Sequence, residues 1–141
     1  MKPSSFKLTV TIPAKPGDVF AALTDSKLIA RWCGQQGTVS SKVGGKFEMF
    51  DGWVKGKVLE FKPGKALIYT WLPGDWPEFN EESVVKYTFA PSGKGTKITL
   101  EHSNFPNETE KKNHKSGWKE FVFDPLRNHF STEKKKGKTE P

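Results

Sequence analysis

The chain has 141 residues, of which 34% are hydrophobic and 28% charged, with a net charge of +7; this is the size and composition of a single domain with its own core. No apolar run approaches the roughly 18 residues of a membrane span, and the opening MKPSSFKLTV lacks the apolar block of a secretory signal. Cys33 is the single cysteine, which excludes an internal disulfide and favours a reducing, cytoplasmic setting, with a monomer as the expected state.

In chain order, Phe6, Leu8, Val10 and Ile12 alternate with Lys7, Thr9 and Thr11, the pattern of a half-buried strand, and Pro13 ends it. PGDVFAAL reads as a short helix with Pro16 in its first turn. Asp25 can cap a second short helix, SKLIARW, which puts Leu28, Ile29 and Trp32 on one face, and Cys33-Gly34 closes it. A meander follows: TVSSKV is a weak strand, GGKFEMF a better one, and Asp51-Gly52 a two-residue hairpin signal. WVKGKVLEF continues the sheet, Pro63-Gly64 turns it, and ALIYTWL returns. PGDWPEFNEE is a polar loop that holds Trp76 and Phe79, and SVVKYTFA and TKITLEH are the last strands. Turn signals at hairpin spacing predict an antiparallel sheet.

A long helix closes the chain. Asn107 with Glu110 three residues on forms a capping-box variant, helical spacing runs to about Lys136, and Gly137 is a natural stop. At 1.5 Å per residue the rod is roughly 44 Å long. Trp118, Val122, Pro125, Leu126 and His129 share one side, with Phe121 on one edge and Phe123 and Phe130 on the other. The apolar arc is roughly 200° wide, twice what simple surface packing needs. A flat sheet cannot cover it; a curled sheet can. Pro125 costs roughly 3 kcal/mol inside a helix, so a bend is expected there, as a kink or as a new start after a break at Asp124.

This order resembles the helix-grip fold of the START and birch-pollen-allergen superfamily, and within it the C-terminal domain of the family of activators of heat-shock protein 90 ATPase. GGKF (44–47), DGWVKG (51–56), the Lys65 to Trp71 strand, Trp76-Pro77, the FP step at 105–106 and GWKEFVFDPLRNHF (117–130) carry the resemblance. It covers roughly residues 5 to 130. It implies an α+β fold in which a curved antiparallel sheet grips a long C-terminal helix, with two short helices after the first strand. Residues 1–130 are then one domain, and 131–141 the end of the helix and a flexible Lys-rich tail. Eukaryotic activators also have an N-terminal domain and an Asn/Trp-rich stimulatory segment, neither of which is expected here, so ATPase stimulation is not carried over. What the resemblance implies is a co-chaperone-like binding module with the heat-shock protein 90 chaperone as partner.

The side chains themselves offer no catalytic constellation. Of the three histidines, His102 ends a strand in phase with Ile98 and Leu100 and should face the concave side. His114 and His129 lie 15 residues apart on the helix, roughly 22 Å along its axis, too far to share a metal. Structural roles are the ordinary explanation for all three. Cys33 ends a helix, where the dipole raises a thiol pKa, so it reads as a small buried residue. Asp75, Glu78, Glu81 and Glu82 form a solvated acidic loop, and no GxGxxG or P-loop occurs. No catalytic residue, metal or cofactor is predicted. The tail holds four lysines and two glutamates of the total charge, and neither a zinc spacing nor an RNA-binding aromatic motif appears, so no specific nucleic-acid partner is predicted.

Binding remains. The inward set of the sheet and helix includes Trp32, Phe47, Met49, Trp71, Tyr87, His102, Trp118, Phe121 and Val122, which would either wall a cavity for a small apolar ligand or fill a core; the pattern admits both. Trp53, opposite in phase to Val54, and Trp76 and Phe79 in the polar loop are the candidate partner anchors, although Trp76 could also fold back over the sheet edge. A carrier or sensor of an apolar ligand is the alternative function, and an enzyme of the same fold the third.

Overall fold

A computed structural model describes residues 5–76 and 82–139, the stretch 132–139 by its backbone alone. The alternating N-terminal segment becomes the edge strand β1 (Ser5–Ile12), followed by α1 (Pro16–Thr24) and α2 (Ser26–Cys33). Pro16 sits in the first turn of α1. Asp25 caps α2 by accepting from the backbone N–H of Lys27 and Leu28, and Gly34 closes it in the left-handed conformation at φ 77°. The meander is β2 (Thr38–Val39), β3 (Lys46–Met49), β4 (Val54–Lys62), β5 (Ala66–Pro73), β6 (Ser83–Ser92) and β7 (Gly95–Ser103). All seven strands form one sheet in the order β1-β7-β6-β5-β4-β3-β2, every pairing antiparallel. This is the α+β helix-grip arrangement, a curved sheet with the long C-terminal helix against it.

The concave face carries the period-two set. Phe47, Val54, Val58, Leu67, Val85, Ile98, Leu100 and His102 are fully buried, and Tyr69, Trp71 and Tyr87 nearly so. In β4, Gly56 is required by close approach: a Cβ there would overlap the carbonyl oxygen of Thr70 on β5. Thr70 also accepts the backbone N–H of Lys57 through its hydroxyl at 2.9 Å, in place of a ladder bond.

The β3–β4 connection differs from the two-residue turn that Asp51-Gly52 predicts. Residues 50–53 lie between the strands, and Phe50, Asp51 and Gly52 take φ of 55°, 57° and 89°. A bulky Phe in the left-handed region is uncommon. Asp51 holds the tip in place by a reciprocal pair with Gln36: its carboxylate accepts the Gln36 N–H at 2.7 Å, and its own N–H donates to the Gln36 carbonyl at 3.0 Å. The result lifts Phe50 and Trp53 toward the helix side.

The long helix is built in three parts: α3 (Glu108–Gly117), a π-helical segment Trp118–Phe123, and α4 (Asp124–Thr139). Asn107 caps it by accepting the Glu110 N–H at 2.9 Å. The helix departs from α geometry immediately before Pro125. The N–H of Asp124 donates to the Lys119 carbonyl, an i−5 bond. Widened turns thus precede the proline, whose ring would otherwise press on the carbonyl four residues back. They also shift the helical wheel, since each π turn takes an extra residue. Trp118, Val122, Phe123 and Leu126 are buried, whereas Phe121 is 57% exposed. Gly137 does not stop the helix, which continues to Thr139.

Candidate functional site

Three tryptophans meet the helix near its start, and each indole N–H has a partner. Trp71 on β5 donates to Nε2 of His114 on α3 at 3.1 Å. Trp118 donates to Nδ1 of His102 on β7 at 2.9 Å. Trp76, after β5, donates to the Glu110 carboxylate at 3.0 Å. These bonds fix both imidazoles. His102 accepts at Nδ1, so its proton is on Nε2, from which it donates to the Ser83 hydroxyl at 2.9 Å; Ser83 in turn donates to the Trp71 carbonyl at 2.6 Å. His114 accepts at Nε2 and donates Nδ1–H to the Glu110 carbonyl at 2.9 Å. Both rings are neutral. Burial holds the pKa of His102 well below the usual histidine value, with the neighbouring His114 adding to the effect. Burial lowers His114 as well, opposed by Glu110 and Asp75. The two ring centroids are 5.4 Å apart.

Beneath this layer the sheet–helix interior is occupied by aromatic packing. Phe47 stacks on Tyr69 at 3.7 Å between centroids, the Tyr69 and Tyr87 hydroxyls are 2.9 Å apart, and Tyr87 meets Trp118 edge-on. Burial raises the pKa of both phenols.

Above it lies an open pocket of about 260 Å³ between α3, the π-helical segment and the β3–β4 tip. Trp71, Trp118 and Val122 form its buried part. Phe50 and Trp53 come from the tip, Asp75 from the turn after β5, Phe121 from the π-helical segment, and Glu110, Asn113, His114 and Gly117 from α3. Trp53 is 42% exposed and lies 6.4 Å from the His114 ring, nearly parallel to it.

Of the residues expected at a ligand cavity, Trp71, Trp118, Phe121 and Val122 come together here. Phe47 and Tyr87 pack below, and His102 lies behind the lining, against Trp71, His114 and Trp118. Trp32 is elsewhere: it is buried, its indole donating to the Ala22 carbonyl at 2.7 Å. Met49 is buried under the α2–β2 segment, beside Gly37. Among the expected partner anchors, Trp53 is exposed at the rim, Phe79 lies outside the described residues, and Trp76 is not an exposed anchor. Trp76 is buried against Phe105 and His114, because Glu110 satisfies its N–H and lets the ring fold inward. Sequence reasoning missed Phe50, Asp75, Glu110 and His114. The i,i+4 spacing of Glu110 and His114 was the available signal; it puts both on one face of α3.

Cys33 is half-buried, with its pKa raised by burial. Among the described residues no three His, Cys, Asp or Glu side chains are placed to hold a metal, and no helix is long and apolar enough to cross a membrane.

Residues 13–131 match the family model described as Activator of Hsp90 ATPase homolog 1-like protein. The chain is 25% identical over 123 residues to the human Activator of 90 kDa heat shock protein ATPase homolog 1, covering 87% of this chain and 36% of the relative. The chain therefore spans about a third of the length of that relative. Its fold superposes on the crystal structure of an HSP90 activator from Plasmodium falciparum with a TM-score of 0.80 and 28% identity, covering 90% of this chain and 96% of the other. A protein from Mesorhizobium loti gives 0.75 and 30% identity, covering 88% and 94%.

Proposed function

The chain belongs to the Activator of Hsp90 ATPase homolog 1-like family, and on that premise we propose that it is a non-enzymatic, cytoplasmic binding domain that associates with the 90 kDa heat shock protein chaperone. Residues 1–130 serve as that domain, and 131–141 as the end of its helix and a Lys-rich tail. The observation that carries the reading is the pairing of exposed aromatics at one place. Trp53 and Phe121 flank the same pocket, at 42% and 57% exposure, while the other tryptophans are buried. Exposed aromatics beside a concave site are the usual anchors of a protein interface. The histidines support the non-enzymatic part: each imidazole nitrogen of His102 and His114 is engaged by protein, which leaves none directed at a substrate.

Calorimetric titration of the chaperone tests this. Binding with little change in ATPase rate is expected, weakened at least about tenfold in Trp53→Ala and Phe121→Ala, as for interface anchors. Absence of binding to the chaperone, or equal binding by both variants, would count against it. A second reading, a carrier of a small apolar ligand, draws its support from the pocket alone, because Phe47, Tyr69, Tyr87 and Trp118 pack the space below.

A further inference from the structure

The pocket has an unusual lining for so basic a chain. The sequence holds 23 lysines and arginines, yet among the described residues none of them lines this pocket, while Asp75 and Glu110 do. Five aromatic side chains besides His114 line the same pocket: Phe50, Trp53, Trp71, Trp118 and Phe121. Trp71 and Trp118 lie 4.9 Å apart and tilted, and Phe50 meets Trp53 edge-on at 6.2 Å. His114 adds no positive charge, since its Nε2 accepts from Trp71 and its Nδ1 donates to a carbonyl. Glu110 is held in place at 3.0 Å from the Trp76 indole nitrogen.

Aromatic faces carry negative potential, and an enclosure of such faces with a nearby carboxylate is the chemistry that recognises an organic cation. A neutral apolar ligand would gain nothing from Asp75 and Glu110, and an anion would be repelled by them. The volume limits the size. About 260 Å³ falls just below the roughly 300–1,000 Å³ of sites for drug-sized ligands, which suits a head group or a small compound.

We propose that this pocket binds a small alkylammonium ion of the choline or methylated-amine class, with the cation among the aromatic walls and facing Glu110 and Asp75. The inference rests on the pocket being a binding site and not on the identity of a protein partner. It is tested on the full chain without the chaperone, so its failure leaves the chaperone reading standing.

Choline and benzyltrimethylammonium are titrated against the protein, followed by the tryptophan indole N–H signals in NMR and by calorimetry. The neutral isostere of choline, 3,3-dimethyl-1-butanol, is titrated in parallel. Choline is expected to bind at least about tenfold more tightly than the isostere, with shifts at the Trp53 and Trp118 indoles. Asp75→Asn and Glu110→Gln together should erase that preference; the amide still offers Trp76 an acceptor, and thermal melting reports whether the fold is kept. Asp75→Asn alone, at an exposed turn position, should reduce the preference with no change in melting. Equal affinity for choline and the isostere would overturn the proposal, as would no saturable binding of either ammonium ion or a preference that survives both substitutions.

Discussion

The indole N–H of Trp118 is 2.9 Å from Nδ1 of His102 and ties the long helix to the last strand of the sheet. The bond is one link in a chain that runs from Trp118 through His102 and Ser83 to the Trp71 carbonyl. Every donor in it has an acceptor, and the members are buried. Such a network is stabilising while complete and costly when one member changes state.

Acidification changes a member. Protonating Nδ1 of His102 would set a second N–H against that of Trp118, in a site already closed to water. The folded-state pKa is therefore lowered, first by burial, and the unfolded chain takes up the proton before the folded one. Stability is full above about pH 6.5 and falls as the pH drops below it, by at most about 1.4 kcal/mol per pH unit for this group. His114 acts in the same direction. Urea denaturation between pH 7.5 and 5 should show the decline, reduced in His102→Gln. A stability that is level across this range would contradict the network as described.

Two substitutions at Trp118 separate packing from hydrogen bonding. Trp118→Ala removes a ring that is 3% exposed and should cost about 3–5 kcal/mol. Trp118→Phe keeps most of the ring but leaves His102 Nδ1 without a donor, for about 1–3 kcal/mol. Denaturant midpoints give both values. If Phe matched the wild type, the indole bond would have no energetic role.

Much of this architecture was legible beforehand, for identifiable reasons. Alternation in β1 and β7 fixed which of their side chains face inward, and Asp25, Gly34 and Asn107 marked helix ends through their own capping chemistry. The site was less legible, because it depends on long-range partners. Trp76 sits in a polar loop by sequence, and only the Glu110 carboxylate, 34 residues on, draws it inward. The proximity of His102 and His114 arises where the chain turns from β7 into α3. The tip at 50–53 takes three successive left-handed residues, which the Asp-Gly signal alone does not specify. The proline is relieved by a π-helical segment, a change of hydrogen-bond register that a 100° wheel cannot represent.

Trp53 and Trp76 should respond oppositely to truncation. Trp76→Ala empties a site that is 7% exposed and leaves Glu110 without its indole partner, so a loss of about 3–5 kcal/mol is expected. Trp53→Ala, at 42% exposure, should cost under about 1 kcal/mol. Thermal melts of the two variants decide the matter; comparable losses would mean that Trp53 is part of the core and not a free anchor.

Glycine substitutions provide the last contrast. Gly56 and Gly17 look alike in sequence, each within a regular element, but their surroundings differ. At Gly56 a Cβ would overlap the Thr70 carbonyl and its side chain on the neighbouring strand. Thr70 is paired with Val84 on β6 and also receives the Lys57 N–H through its hydroxyl, so it has little room to withdraw. Gly56→Ala should cost about 3 kcal/mol, at the upper end for overpacking. At Gly17, in the first turn of α1, nothing lies within 4 Å of the added Cβ. There, alanine restricts the unfolded chain without strain in the folded one, and Gly17→Ala should stabilise by about 0.4–1 kcal/mol. Denaturant unfolding of the two variants side by side measures the difference. If Gly56→Ala unfolded at the wild-type midpoint, β4 and β5 would have to be farther apart at this point than the close approach of their backbones requires.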